Sequence, residues 1–269
     1  MPLVAEANPL VDVVLVLKLT LVPALILVAS FVGTKWGPAV SGWLVSLPFT
    51  SAPVIFFLAL EQGDGFASAA SEGVTLGLAS IAVFAFAYCW FALRRQELAW
   101  FSPLLLGWGA YFVLTFILEG VSVPLVAAFL GVVVFLALVN RVLPRPRVVA
   151  ASSQRLTGSE IAIRMVAATA LVLLITESST TLGPQLSGLL TPFPIYVSVM
   201  SASIYRVQGP PSAVHFVRGT TLGLFTPAVF FLIVGTTIVG LGMALSFGLA
   251  ITSSLLTHGL SFRLLEKGA

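Results

Sequence analysis

The chain has 269 residues, of which 58% are hydrophobic and 9% charged, with a mean hydropathy of +1.09. Soluble domains carry about 25% charged residues, so a water-soluble globule is excluded and an all-α polytopic membrane protein is expected; the period-two alternation of a transmembrane barrel is absent. The net charge of +3 and pI near 9.4 are read as membrane topology, not as a nucleic-acid footprint.

A spanning helix needs about 20 mostly apolar residues. Nine segments meet this, at 13–33, 39–60, 73–93, 98–118, 121–140, 161–181, 185–205, 219–237 and 241–262. The stretch before the first lacks a basic region, so that segment is expected to be retained as a span. Turn residues or charges mark the breaks, as at Gln62-Gly63-Asp64-Gly65, Arg94-Arg95-Gln96-Glu97 and Gln208-Gly209-Pro210-Pro211. One connection, 141–160, is longer; it carries Arg141, Arg145, Arg147 and Arg155 and reads as an exposed cytoplasmic linker.

Lys and Arg near span ends are held on the cytoplasmic side. With the N-terminus outside, the inner breaks contain Lys35, then Arg94 and Arg95, the 141–155 arginines, Arg206 and Arg218, and finally Arg263 and Lys267. The outer breaks contain Glu61, Asp64, Glu72 and Glu119 and no basic residue. Every break thus agrees with nine spans, N-terminus out and C-terminus in, in an inner (cytoplasmic) membrane.

The chain also aligns with itself at an offset of 146 residues. GPAVSGWLVSLP from Gly37 matches GPQLSGLLTPFP from Gly183, and the ungapped match continues to Leu78 and Leu224, with 14 of 42 positions identical. The identities are mostly Gly, Pro, Ser and Gln, which hydrophobic bias alone does not produce. Residues 1–120 then form a first four-span repeat, 121–160 a linking fifth span with its basic loop, and 161–269 a second repeat. An odd number of spans between equivalents inverts the second copy, and Glu72 aligning with Arg218 fits the exchanged sides. This 4+1+4 plan is that of many secondary transporters.

The run from Lys35 to Leu78 resembles the GlpM family, small bacterial membrane proteins of about four spans. Gly37-Pro38, Gly42, Pro48, the Glu61-Gln62-Gly63 turn, Ala67, Gly73 and Gly77 carry the resemblance. It covers mainly residues 13–118, with a weaker copy over 161–262, where Arg206-Val207-Gln208-Gly209 lacks the acidic residue of the turn. The family is associated with alginate production in pseudomonads, so the resemblance implies a role in envelope polysaccharide production; it supplies no catalytic residues.

The second helix of each copy is unusual. Pro48 and Pro53 interrupt one; Pro192 and Pro194 interrupt the other. Proline removes a backbone donor and frees carbonyls at membrane depth, where they need partners or a lined cavity. Around the aligned Pro48 and Pro194 lie Ser46, Thr50 and Ser51 in one copy, and Thr191, Tyr196 and Ser198 in the other. Two broken helices crossing near the midplane would form a solute site; the plainer alternative is a pair of kinked packing helices.

Glu177 is a carboxylate within a span, a proton or cation site by default, although it lies close enough to the outer end to reach the interface. Lys18 and Arg164 are equivalent under the repeat. They could face an anionic substrate from two sides, but the simpler expectation is that both snorkel to the headgroups. His215 and His258 are expected at the surface. Gly73/Gly77 and Gly219/Gly223 have the Gly-x-x-x-Gly spacing of close helix packing. No phosphate loop, dinucleotide fingerprint, zinc-protease motif or nucleophile elbow is present. The lone Cys89 excludes an internal disulfide framework, and no Cys/His spacing suits a metal or haem, so neither cofactor nor metal is expected.

The leading expectation is therefore a non-enzymatic secondary transporter or permease for a small neutral or weakly anionic solute. The second is a non-transporting membrane factor for envelope polysaccharide production or assembly, and the third a passive channel. Expected partners are membrane lipid and a small solute, with a second copy or an envelope-pathway protein as further partners, and no nucleic acid.

Overall fold

Proline and glycine divide the chain into short and long helices. The computed structural model describes residues 9–32, 37–95, 99–146 and 157–268. These form α1 (Pro9–Val32), α2 (Pro38–Val45), α3 (Ser51–Gln62), α4 (Asp64–Arg94), α5 (Ser102–Glu119), α6 (Leu125–Val142), α7 (Gly158–Glu177), α8 (Ser179–Leu190), α9 (Ile195–Gln208), α10 (Pro210–Gly223) and α11 (Phe225–Gly268). No strand occurs among the described residues. Lys35, Arg147, Arg155 and most of the basic linker lie outside them.

Pro38, Pro103 and Pro210 stand in first turns, where the missing N–H has no intrahelical acceptor. A capping box opens α7: the Thr157 hydroxyl accepts from the Glu160 N–H, and the Glu160 carboxylate accepts from the Thr157 N–H. Gly63 separates α3 from α4 with φ 87° and ψ 167°, and Gly209 separates α9 from α10 with φ 86° and ψ 171°. Only glycine adopts this backbone cheaply.

The helix boundaries differ from the sequence expectation in several places; among them, α10 begins at Pro210, nine residues before the expected 219–237 span, and ends at Gly223 inside it, and the expected 161–181 span is broken at Ser178. The 39–60 segment is two helices, α2 and α3, parted between Ser46 and Thr50 around Pro48. The 185–205 segment is likewise parted at Thr191–Pro194, and α8 and α9 meet at a 43° bend. The expected Leu182-Gly183-Pro184 break survives only as a non-helical Gly183 inside α8. α4 begins at Asp64, nine residues before the expected span, so Glu72 lies inside that helix and not at its start.

Six helices among the described residues are long and apolar enough to cross a membrane, seven if α8 and α9 form one bent span. The longest such stretch, Pro210–Arg263, has 54 residues, roughly 80 Å at 1.5 Å per residue against a hydrocarbon core of about 30 Å. Gly242, at φ 74° and ψ 169°, breaks it near the expected boundary between the eighth and ninth segments. The outer faces carry large apolar side chains such as Val113 and Ile117 on α5, Val134 on α6, Val166 on α7 and Leu256 on α11. Buried Ser and Thr lie within. An apolar exterior over a partly polar interior is compatible with a multi-pass integral membrane protein.

Two close crossings hold the centre. α2 packs on α10, and α8 packs on α4. At the first, a Cβ on Gly42 would strike the Phe216 carbonyl oxygen and one on Gly219 the Ala39 carbonyl oxygen; at the second, Gly188 meets the Ala70 carbonyl oxygen and Gly73 that of Gln185. Backbone lies against backbone, as the small-residue spacing predicts. Gly77 and Gly223 continue the two contacts against Leu189 and Trp43. α4 runs through the middle of the bundle and also packs on α5, α6 and α11, its Phe84 and Tyr88 fully buried.

Candidate functional site

The two broken helices meet in one place. A pocket of about 60 Å³ is lined by Ser46, Leu47, Pro48, Thr50 and Ser51 from the first break, by Pro192 to Val197 from the second, and by Leu78, Ile81, Thr220 and Leu224 from α4 and the α10–α11 junction. At about 10–15 Å³ per water-sized occupant, it has room for a few waters or one small ion, not for a sugar or an amino acid.

Local hydrogen bonding explains its polarity. The last carbonyls of α2 are capped: Ser46 N–H and the Ser46 hydroxyl both reach the Trp43 carbonyl, at 3.2 and 2.6 Å, and Leu47 N–H reaches Leu44. Those of α8 are capped too, because Thr191 N–H and hydroxyl bond Ser187, Phe193 N–H bonds Leu190, and the Tyr111 hydroxyl donates to Leu189 at 2.8 Å. The Leu44, Gly188 and Leu190 carbonyls freed by Pro48, Pro192 and Pro194 therefore find partners within the protein, whereas those of Val45, Ser46 and Phe49 accept no hydrogen bond among the described residues.

Of the sequence-predicted residues, Ser46, Pro48, Thr50, Ser51, Pro194 and Tyr196 come together here. Thr191 and Ser198 do not line the pocket. Their hydroxyls fold back onto the Ser187 and Pro194 carbonyls at 2.6 Å each, the local bond that Ser and Thr favour in helices, and Ser198 also accepts from the Trp108 indole at 2.9 Å.

Lys18, Glu177 and Arg164 lie elsewhere. Lys18, on α1, is 1% exposed and forms ion pairs with Glu61 of α3 at 2.6 Å and Glu177 of α7 at 3.1 Å. The cluster edges an open cavity of about 830 Å³ lined also by Gln62, Thr176 and Thr180. Glu177 is 69% exposed, in keeping with a position near a helix end. Arg164 is 0% exposed, and its three side-chain nitrogens have no hydrogen-bond partner. Its guanidinium lies 5.3 Å from the Tyr196 ring centroid. The expectation that both cations snorkel to the headgroups is thus corrected, since each turns inward, Lys18 toward two carboxylates and Arg164 toward an aromatic face.

Two features escaped the sequence. Glu61 was assigned to a turn, but it sits in the last turn of α3 and is the nearer partner of Lys18. His258, expected at the surface, is buried: it stacks on Trp43 with centroids 3.8 Å apart and its Nδ1 bonds Thr226 at 2.9 Å. The adjacent Ser261 accepts from the Trp43 indole at 2.8 Å. The aromatic at α2 and the histidine one turn before Ser261 were the available signal, although 215 residues separate Trp43 from His258 (258 − 43). His215 is partly buried against the Pro146 carbonyl, and Arg218 donates to Pro144, which ties the start of the linker to α10. No group of three or more His, Cys, Asp or Glu suited to a metal occurs among the described residues.

Compared with family models, curated proteins and solved structures, the chain matches none.

Proposed function

We propose that the protein is a secondary transporter or permease of the inner membrane, built from two inverted four-span repeats joined by α6. The observation that carries this reading is the meeting of two proline-broken helices in one small pocket, mainly apolar but with Ser46, Thr50 and Ser51 among its lining residues, an arrangement of the kind in which transporters place solutes near the bilayer midplane. The inverted repeat is supported by the 146-residue offset of the Gly63 and Gly209 breaks and by the reciprocal crossings: Gly42 on Phe216 corresponds to Gly188 on Ala70, and Gly73 on Gln185 to Gly219 on Ala39. Nine spans follow if α2 with α3, and α8 with α9, each form one broken span and Gly242 ends another. Transport then proceeds by rocking of the two halves, each exposing the pocket to one side in turn. No catalytic step belongs to this reading.

Purified protein in lipid vesicles should support saturable solute flux, and Pro48→Ala and Pro194→Ala should lower it while leaving yield unchanged. Equal loss of expression in both variants makes the prolines structural and removes the reading. For topology, a cysteine at Arg145 in a Cys89→Ala background should label only from the cytoplasmic side; labelling from outside overturns the nine-span arrangement.

The second reading, a non-transporting membrane factor for envelope polysaccharide production, is favoured by the tight glycine crossings beside the pocket and by the resemblance to the GlpM family. Flux-negative vesicles together with co-purification of envelope-pathway proteins favour it over transport.

A further inference from the structure

We infer that His258 is a proton-binding site and that the proton is the coupling ion of transport. The inference deepens the transporter reading and rests on it for the coupling, but not for the proton site itself.

His258 ties α2 to both arms of α11. Its ring stacks on Trp43 of α2, with centroids 3.8 Å apart and planes at 12°, and its Nδ1 shares a hydrogen bond of 2.9 Å with the Thr226 hydroxyl at the start of α11. Both partners stand next to the crossing pocket. Ser46, which lines it, places its N–H and its hydroxyl on the Trp43 carbonyl, and Thr226 lies between the lining residues Leu224 and Pro227. The contact is locked a second time, since the Trp43 indole N–H donates to Ser261 Oγ, which donates to the His258 carbonyl.

The surroundings of the ring suit a change of charge. His258 is 5% exposed, and its Nε2 has no hydrogen-bond partner among the described residues. Thr226 serves both protonation states, because a hydroxyl donates to a bare Nδ1 and accepts from a protonated one. Trp43 offers an imidazolium the face of its indole, the aromatic face that best attracts a cation.

No carboxylate answers that charge. α2 carries no ionisable residue, and neither does α11 from Phe225 to Leu241. α3 has only Glu61, which is paired with Lys18 of α1, and on α10 His215 and Arg218 are turned to the Pro146 and Pro144 carbonyls. On α4, Arg94 lies over the Trp90 ring, and Asp64 and Glu72 belong to the first turns. Arg263, the next charge on α11 itself, is exposed. A protonated ring is therefore buried without a counter-ion, a state relieved when α2 and α11 part and water reaches Nε2.

The same face of α11 continues toward the first break. Ser254, four residues before His258 and so on its face, is 2% exposed, and its hydroxyl has no partner among the described residues. It is the one polar residue lining an otherwise apolar cavity of about 320 Å³ that shares Leu47 and Pro48 with the crossing pocket. About two turns earlier the Ser246 hydroxyl is likewise buried and unpartnered. A parting that hydrates this arm satisfies all three groups at once. Proton uptake at His258 and movement at Pro48 are then linked, and each promotes the other.

The test begins with the detergent-purified full chain carrying His215→Gln, which leaves His258 as the only histidine, labelled with 13C-histidine and titrated by NMR. The ring signals should pass from neutral to protonated positions between about pH 8 and pH 4. Signals that stay neutral throughout, in protein that remains folded, overturn the site. In vesicles, a proton gradient should raise the accumulation of a solute that shows saturable flux about tenfold over its level without a gradient, and His258→Gln should bring that ratio to about one. A native ratio in His258→Gln overturns the coupling. Should His258→Gln fail to fold, His258→Asn, whose amide reaches the Nδ1 position, takes its place. The two levels separate: a titrating His258 in a protein without flux supports the site and removes the permease reading, while flux that ignores the gradient overturns the coupling and leaves the permease reading standing.

Discussion

Lys18 and Arg164 occupy equivalent positions on α1 and α7, yet their surroundings have opposite character. Lys18 is held between two carboxylates beside an open cavity, and Arg164 is enclosed with no hydrogen-bond partner beneath Tyr196. The backbone around them is alike, with glycine crossings and glycine breaks recurring at the same offset. The difference lies in single side chains: Glu61 aligns with Val207, and Glu177 with Phe31. Under the proposed repeat the packing residues recur in both halves while the charges differ, so function should be sought where the halves disagree and stability where they agree.

The most disruptive test addresses the agreement. Gly42→Val and Gly188→Val each drive a side chain into a facing backbone that cannot retreat, and both should reduce the yield of monodisperse protein more than tenfold. Size-exclusion profiles in which only one fails would show that the two crossings are not equivalent.

The next tests address the disagreement. Lys18→Met leaves the Glu61 carboxylate without its cation, but Glu61 reaches the open cavity, so the loss is smaller than that of a fully buried pair, about 1–2 kcal/mol; the thermal midpoint should fall. Arg164→Met should do the reverse. It removes a buried cation that forms no ion pair within 4 Å and meets the Glu160 carboxylate only at longer range, and stability should rise by about 1 kcal/mol. Opposite signs sustain the contrast between the two cations, and equal losses abolish it. The smallest effect belongs to Glu177→Gln, because an exposed ion pair contributes about 0–1 kcal/mol. A drop comparable to that of Lys18→Met would mean that Glu177, not Glu61, is the principal partner.

What the sequence revealed and what it hid follow from the range of each interaction. The helix breaks were legible because proline acts on its own backbone, and Pro48 and Pro194 disrupt helices whatever surrounds them. The crossings were legible because glycine spacing records close approach, as at Gly73 and Gly77. Thr191 and Ser198 were misplaced because a hydroxyl near a pocket and one bonded to its own preceding turn look the same in sequence. Lys18 with Glu61, and Trp43 with His258, are contacts between distant segments that no local period encodes. The burial of Arg164 was equally hidden, since an arginine within an apolar helix reads first as one reaching toward the headgroups.

The reciprocal crossings also bear on biogenesis. Because α2 seats on α10 and α8 on α4, the central surfaces of the first half are completed only by helices made more than a hundred residues later. During synthesis α2 and α4 must wait in the bilayer with their glycine faces uncovered, and neither half made alone has a partner for them. Two separately translated halves meeting in one membrane could restore the protein.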